Sequence, residues 1–428
     1  MIVWWKRRIV FLGGAISVGL VAILFAVICE WANSNFHKLL AVSPWLPLLV
    51  TPCGFALVVY LTRKYFAGAQ GSGIPQVIAA LDEQSPMRDR LLSLRVTLGK
   101  ILLTVMGFLF GASVGREGPT VQIGAAIMHN MGKLARFPSY DLDKGLILAG
   151  AAAGVAAAFN TPLAGIVFAI EEMSRSFEEH NSSTILMTVI IAGITSLALL
   201  GNYAYFGRTS ETLAFGSDWN VVILCGVAGG VLGGAFSRML IEVNKGLTGR
   251  LGGWMRHHPI RFAAACGLLV ALIGLASFGN TYGSGYNEAK SMLDGNTALP
   301  ENFGLLKMAA TLVTYVSGIP GGIMAPTLSA GAGLGYNIAH IFSSVPLGAA
   351  MILGAVAYFA GVTQAPITAF VIVMEMTANH EMILPLMAAA FIAKLCSRAI
   401  CPTPLFLTLS RNFSATIQPA VKKSDAGS

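Results

Sequence analysis

Charged side chains are scarce in this chain of 428 residues. Only 11% of the residues are Asp, Glu, Lys or Arg, and 55% are hydrophobic. A soluble domain carries roughly 25% charged residues, so this chain has too few to cover a water-facing surface. Several uncharged runs are near or above the ~20 residues that an α-helix needs to cross a bilayer: Ile9–Cys29, Leu39–Leu61, Gly145–Ile170, Thr184–Gly207, Trp219–Ser237 and Met308–Met374. The composition therefore predicts an all-α, polytopic membrane protein and excludes a soluble domain.

The sequence also lacks the usual signatures of metal, disulfide and catalytic chemistry. None of the six cysteines forms a Cys-x-x-Cys pair, and most of them lie in apolar segments, which indicates small buried side chains. The seven histidines include no His-Glu-x-x-His sequence. An intramembrane enzyme would need a nucleophile–base pair or a set of metal ligands. We therefore predict no enzymatic activity, no metal site and no cofactor.

The net charge of +8 does not indicate a nucleic-acid-binding protein, because the basic residues flank apolar segments and form no single patch. This arrangement follows the positive-inside rule. Lys6, Arg7 and Arg8 precede the first apolar run, and Lys422 and Lys423 lie near the end of the chain. We expect a multi-pass protein of the plasma (inner) membrane with both termini in the cytoplasm. The tail at 413–428 is too short to fold alone.

An internal repeat divides the chain. Three matches occur in the same order at offsets that fall from 212 to 207 to 204 residues: 71–73 with 283–285, 115–120 with 322–327, and Pro162 with Pro366. Repeats of this kind are typical of transporters whose binding site lies where the halves meet. We therefore predict one transmembrane domain, 1–412, with halves at roughly 1–205 and 215–412.

Four segments share a local pattern of small residues, then proline, then an apolar run. They are G-S-G-I-P-Q-V (71–77), G-R-E-G-P-T-V (115–121), G-G-I-M-A-P-T-L (321–328) and C-P-T-P-L-F-L (401–407). Proline is favoured in the first turn of a helix, so each segment predicts a helix N-terminus. Such ends carry unpaired N–H groups and a partial positive charge. Several of them together would bind an anion without a buried cationic side chain.

Three of these segments resemble the anion-binding signatures of a known family. G-S-G-I-P (71–75), G-R-E-G-P (115–119) and G-x-x-x-P (322–326) are similar to those of the CLC chloride channels and H⁺/Cl⁻ antiporters, in the short form without CBS domains. The resemblance covers roughly residues 5–412. It implies two inverted halves with about eighteen tilted and partly non-spanning helices. It also implies a homodimer with one pore per subunit.

The resemblance assigns chloride-binding positions to eight residues: Ser72, Gly73, Ile74, Arg116, Gly118, Ile323, Met324 and Phe406. Ser72 corresponds to the serine whose hydroxyl donates to the central anion, and serine there is typical of chloride-type members. Arg116 is also open to a structural role as an anchor. Met324 stands where the family usually has phenylalanine. Phe406 stands where the family has a pore tyrosine, so a hydroxyl donor is missing there.

The resemblance gives two glutamates a role in gating and proton transfer. Glu117 corresponds to the gating glutamate, which competes with chloride when ionised and carries a proton when protonated. Glu172 corresponds to the internal proton-transfer glutamate of the antiporters, which channels generally lack. The neighbouring Glu171 aligns with Glu375 in the repeat, so we expect a structural role for it. We therefore predict chloride transport coupled to proton counter-transport. The alternative is a passive voltage- or pH-gated chloride channel of the same fold.

Overall fold

The computed structural model describes most of the chain in side-chain detail. The described residues are 2–82, 85–135, 140–173, 187–195, 198, 201, 207, 209–213, 216, 218–295, 299–342, 345–411 and 413. The predicted division between the halves at 205–215 lies partly outside these residues. The predicted tail lies outside them from residue 414 onward.

The described residues are helical almost throughout and form no β-strand. Two further helical segments, 187–195 and 405–411, accompany the main helices. The main helices in chain order are α1 Ile2–Val42, α2 Pro47–Tyr65, α3 Ile74–Asp82, α4 Ser85–Leu91, α5 Leu94–Leu109, α6 Glu117–Leu134, α7 Tyr140–Phe159, α8 Pro162–Phe168 with a π-helical turn Ala169–Met173, α9 Trp219–Gly246, α10 Gly249–His257, α11 Pro259–Ala276, α12 Tyr286–Leu293, α13 Phe303–Val316, α14 Met324–Ala339, α15 Leu347–Thr363, α16 Pro366–Thr377 and α17 Ile383–Ile400. The prediction of an all-α architecture with about eighteen helices is confirmed.

Only some of the apolar segments are single membrane spans. Five segments of the described chain are long and apolar enough to cross a bilayer: Val10–Val42, Met87–Leu109, Trp219–Gly246, Pro259–Ala276 and Ile383–Ile400. The uncharged run Gly145–Ile170 is not one of them. Asn160, with a φ of 56°, ends α7, and Pro162 begins α8 two residues later. An apolar run of span length can therefore contain parts of two separate helices.

Each half contains a pair of helices that pack closely at glycines, and the two pairs occupy equivalent positions in the repeat. Gly124 of α6 and Gly150 of α7 lie so close that a Cβ atom on either would overlap the carbonyl oxygen of the other. In the second half, a Cβ atom on Gly331 of α14 would lie 2.6 Å from the Gly354 oxygen of α15. Small residues allow such close backbone contact between membrane helices. These four glycines align in the sequence repeat, so the repeat corresponds to a repeated packing arrangement.

Two glutamates cap helices of the opposite half. The Glu375 carboxylate, at the end of α16, accepts hydrogen bonds from Leu163 N at 3.2 Å and Ala164 N at 2.7 Å in the first turn of α8. In the reciprocal contact, Glu171 accepts from Ile367 N at 3.2 Å and Thr368 N at 2.6 Å in the first turn of α16. The first amides of a helix have no intrahelical acceptor, and a carboxylate there also interacts favourably with the helix dipole. The arrangement supports the structural role expected for Glu171.

Candidate anion and proton site

Backbone hydrogen bonds bring three glycine-rich loops together at one point. Gly115 and Gly322 exchange two of them, each 2.7 Å long, as an isolated antiparallel bridge. Gly321 N also donates to Gly71 O at 3.1 Å. These residues belong to the second, third and first of the predicted anion-binding segments. The structure therefore brings together segments that lie more than 200 residues apart in the chain.

Glycine is required where these loops approach one another. A Cβ atom on Gly118 would overlap Ser72 Oγ and would lie 2.9 Å from Ser72 O. A Cβ atom on Gly73 would lie 2.6 Å from Gly118 O, and Gly73 has a left-handed φ of 112°. A Cβ atom on Gly322 would lie 3.0 Å from Gly118 N. The Ser72 hydroxyl, the start of α6 and the third loop thus occupy one small region.

The Ser72 hydroxyl is available for a ligand. Ser72 is fully buried, and its Oγ has no hydrogen-bond partner among the described residues. Gln76 holds the loop around it, since Gln76 Nε2 donates to Gly68 O at 3.2 Å and to Gln70 O at 2.6 Å. Gln76 Oε1 accepts from Gly73 N at 3.1 Å. The Gly73 amide, a predicted anion ligand, is therefore occupied within the protein in this arrangement.

A buried lysine supports the same loop from the other side. Lys100 of α5 is fully buried, and its Nζ donates to Gly71 O at 2.8 Å and to Gln70 O at 3.4 Å. In the second half, Lys307 Nζ donates to Gly283 O at 2.8 Å and to Thr281 O at 2.9 Å. A buried ammonium group requires such acceptors. Both G-S-G loops of the repeat are therefore held by a lysine from the helix that packs behind them.

Glu117 is the acidic residue within these three segments. It is the first residue of α6 and is fully buried. Its carboxylate folds back over Gly115, so that a Cβ atom on that glycine would overlap Glu117 Oε2. The side chain of Arg116 is directed elsewhere, and its guanidinium donates to Ala26 O of α1 at 3.1 Å. The contact supports the structural role considered for Arg116.

Three helices begin next to the loops. α3 begins at Ile74, α6 at Glu117 and α14 at Met324, with Ile323 at the N-cap position. α6 packs against both α3 and α14. Each N-terminus contributes unpaired amides and a partial positive charge, so their convergence forms a site suited to an anion. The same positive field stabilises the Glu117 carboxylate when it is ionised.

Phe406 is buried in the hydrophobic core. Its side chain is fully buried and lies in the same continuous core as Ile74, Ile323 and Met324. The ring offers no hydrogen bond to an anion. The family resemblance predicts two side-chain hydroxyls at the central site, and this chain keeps the one on Ser72 and has phenylalanine in place of the other.

Glu172 lies on a different element from Glu117. It belongs to the π-helical turn Ala169–Met173, which packs against α7 and α16. A π-helical turn rotates successive side chains away from the α-helical pattern and is frequent at functional sites. Glu171 is engaged in capping α16, whereas Glu172 is half-buried and within electrostatic range of Lys394 on α17. Adjacent carboxylates are thereby given different environments.

Sequence reasoning did not identify Gln76, Lys100 or Lys307 as parts of the site. The sequence does indicate that the two lysines matter, because each is an ionisable residue next to or within a long apolar helix. Gln76 carried none, since a glutamine three residues after Gly73 is unremarkable as a sequence feature. Its role depends on the turn that the loop makes in space.

Comparisons with known proteins agree with this geometry. The chain is similar to a solved slow cyanobacterial Cl⁻/H⁺ antiporter, with 26% identity, a TM-score of 0.80, and coverage of 96% of this chain and 98% of that one. A CLC-type fluoride/proton antiporter matches with 24% identity, a TM-score of 0.78 and coverage of 93% and 96%. A eukaryotic CLC transporter matches with 20% identity, a TM-score of 0.74 and coverage of 95% and 75%. The sequence model described as voltage gated chloride channel matches residues 54–398, and the chain therefore belongs to this CLC family of membrane proteins.

Proposed function

We propose that this protein exchanges chloride for protons across a membrane. The observation that carries the proposal is the position of Glu117, a buried carboxylate that begins α6, lies over Gly115 and precedes Gly118, which packs against the Ser72 hydroxyl. An ionised carboxylate and a chloride ion compete for the same amides and dipoles. Similarity to a solved Cl⁻/H⁺ antiporter at 26% identity supports the same activity here.

Competition at this site couples the two ions. When Glu117 is ionised, it occupies the positive field of the helix N-termini and excludes chloride. When chloride enters, its charge favours protonation of the carboxylate, which then leaves the site with its proton. Because linkage is reciprocal, a bound proton also favours a bound chloride. No cofactor is required, since the substrates themselves carry the charges.

Glu172 supplies the second step of the proposal. A channel needs only the anion site, whereas an antiporter needs a group that delivers protons from the opposite side. Glu172 is suited to this role because it is half-buried and is not used for helix capping as Glu171 is. Its presence favours exchange over the alternative of a passive voltage- or pH-gated channel.

The assembly and orientation are part of the proposal. We place the protein in the plasma (inner) membrane with its basic flanking residues and both termini in the cytoplasm, following the positive-inside rule. We propose a homodimer with one pore per subunit. The α17 helix carries exposed Leu384, Phe391 and Leu395, and these side chains suit a contact with a second subunit or with lipid. Cross-linking in the membrane would distinguish a dimer from a monomer.

The test is simultaneous recording of chloride and pH in liposomes containing the purified protein. A chloride gradient should drive protons uphill, and Glu172→Gln should abolish the proton movement while chloride still flows. Glu301→Gln, at an exposed carboxylate, is the matched control and should behave as the parent. Chloride flux with no pH response in the parent would indicate a passive channel. The absence of both fluxes would contradict the proposed function.

A further inference from the structure

The short helix α10 connects two helices that are each long and apolar enough to cross a membrane. α9 ends at Gly246 and α11 begins at Pro259, and the segments Trp219–Gly246 and Pro259–Ala276 are both of span length. A segment that joins two spans lies at one face of the membrane, so α10 is placed beside the lipid headgroups. Its basic residues indicate the cytoplasmic face.

One side of α10 packs on the protein, and the other side carries basic residues. Trp254 is half-buried, and its ring packs edge-on against Phe262 of α11 with 5.5 Å between the ring centroids. Met255 is also half-buried and packs on the same hydrophobic core. Arg250 and His257 are exposed, and their spacing of seven residues places them on the same side of the helix. α10 is therefore amphipathic, with its basic side exposed.

Exposed cationic side chains are concentrated in α10 and in the adjoining turns of α9 and α11. They are Lys245, Arg250, Arg256 and Arg261. The Arg256 guanidinium lies 3.6 Å from the position of a Cβ atom on Gly246, so it extends back towards the end of α9. After Glu242, the next acidic residue in the sequence is Glu288. The connection between the two spans therefore carries charge of one sign.

This positive charge is not neutralised within the described part of the chain. The three arginine guanidinium groups form no hydrogen bond or ion pair with another described residue. Lys245 Nζ lies 3.4 Å from Glu242 Oε1, but both side chains are more than half exposed, at 55% and 58%. Such an exposed ion pair is weak. The surface is therefore available to an anionic group from outside the chain.

We propose that α10 and its adjoining turns bind the phosphate headgroup of an anionic phospholipid. Basic clusters beside a membrane span or on an amphipathic helix attract anionic lipids. A guanidinium group can hold two phosphate oxygens through parallel hydrogen bonds. Trp254 suits the same depth, because tryptophan is enriched at the membrane–water interface. The proposal does not depend on which ions the protein carries.

The chain's own tail is a poor alternative occupant of this surface. The segment 414–428 contains Lys422 and Lys423 but only one acidic residue, Asp425. Its charge therefore has the same sign as that of α10, and like charges repel. A phospholipid headgroup has the opposite charge and is held at the level of α10 by its acyl chains.

Native mass spectrometry of the purified full chain in detergent tests the assignment, with phosphatidylglycerol and phosphatidylcholine of equal chain length as probes. The parent should retain phosphatidylglycerol in preference to phosphatidylcholine. A basic residue near an anionic lipid contributes about fivefold in affinity, so Arg250→Gln combined with Arg256→Gln should weaken phosphatidylglycerol binding about 25-fold. Lys38→Gln combined with Lys290→Gln removes two exposed positive charges from other helices. This matched control should bind phosphatidylglycerol as the parent does.

A second readout leaves the arginines unchanged, because bromine atoms on a lipid chain quench a tryptophan that they contact. In phosphatidylcholine liposomes, added brominated phosphatidylglycerol should quench the parent's fluorescence more than brominated phosphatidylcholine does. Trp254→Phe should remove this excess quenching. Elution volume and thermal unfolding verify that each variant is folded.

Three results would overturn the assignment. They are equal quenching by the two brominated lipids, equal phosphatidylglycerol binding by the arginine variant and its control, and displacement of phosphatidylglycerol by inorganic phosphate at the same concentration. The last result would mean that the surface takes the free ion and not a lipid. None of these measurements involves transport, so their failure would leave the proposed exchange of chloride for protons intact.

Discussion

Single residues of one chemical type perform different tasks in this protein because their backbone positions differ. Glu117 begins α6 where the glycine-rich loops meet, Glu171 caps the first turn of another helix, and Glu172 does neither. Ionisable residues inside a membrane are costly and are usually functional. The role of each glutamate therefore follows from its structural environment, and not from its residue type alone.

Replacing Glu117 with glutamine removes the charge that we propose competes with chloride. We expect Glu117→Gln to abolish proton movement and to leave a chloride flux that no longer depends on pH. The side chain keeps its size, so the fold should persist. Chloride and pH recorded in liposomes provide the measurement. Proton transport that persists in this variant would remove Glu117 from the mechanism.

Gly118 tests the close approach of the first two loops. Gly118→Ala places a methyl group on the Ser72 hydroxyl, so we expect loss of chloride binding by at least an order of magnitude. Gly253→Ala is the control, because no atom outside its own helix lies within 4 Å of a Cβ atom there. Calorimetry should show normal chloride binding for the control. Equal binding by both variants would show that the loops are not the anion site.

At the scale of elements, the reciprocal caps tie each half of the molecule to the other. α8 and α16 occupy equivalent places in the repeat, and each receives its cap from the other half. A carboxylate at a helix N-terminus satisfies amides that have no other acceptor. The caps also fix the π-helical turn that carries Glu172, since Glu171 belongs to the same turn.

Removing either cap should lower stability. We expect Glu171→Gln and Glu375→Gln each to reduce the free energy of unfolding by about 0.5–2 kcal/mol, the usual effect of losing an N-terminal cap. Thermal unfolding in detergent is the measurement, and Glu381→Gln, at an exposed position, is the control. A loss of proton coupling with unchanged stability would instead assign Glu171 to transport.

At the scale of the whole molecule, an ionic cluster joins four helices at the end of α6 opposite to Glu117. Asp143, in the first turn of α7, contacts Arg88 of α4 at 2.8 Å and His129 of α6 at 2.7 Å. Arg88 Nε also donates to Ala80 O of α3 at 2.8 Å, and His129 contacts Asp89 at 3.0 Å. The cluster thus connects the helices that follow the first two predicted anion-binding segments.

This cluster makes the free energy of unfolding depend on pH in the acid range. Burial of Asp143 raises the pKa of its carboxyl, but the hydrogen bonds and charges of His129 and Arg88 outweigh burial and lower the pKa below its ordinary value. A group whose pKa is lowered by folding adds stability above its unfolded pKa, about 3.9 for aspartate. That stability is lost as the pH falls below this value towards the folded pKa.

Asp143→Asn should therefore lower the melting temperature at neutral pH. The melting temperature of this variant should also fall less than that of the parent as the pH is lowered. Asp294→Asn, at an exposed aspartate, is the control and should keep the curve of the parent. Melting temperatures from pH 3 to 7 provide the measurement. A parent curve that is already flat in acid would contradict a stabilising role for the cluster.

Part of this architecture follows from the sequence by physical necessity. A chain with so few charges cannot cover a water-exposed surface, so a membrane fold was predictable from composition. The glycine–proline segments predicted helix N-termini, since proline and glycine restrict the backbone locally. The alignment of Glu171 with Glu375 in the repeat predicted a structural role for Glu171 and distinguished it from Glu172.

Other features were decided only by tertiary structure. The uncharged run Gly145–Ile170 is two helices because packing accommodates a left-handed Asn160, which hydropathy does not register. The role of Lys100 depends on the folded chain, because its Nζ donates to Gly71 O, a residue 29 positions away. Local sequence determines where a helix can begin, because its constraints act within a few residues. Which helix ends meet depends on contacts between residues more than 200 positions apart, and these exist only in the folded chain.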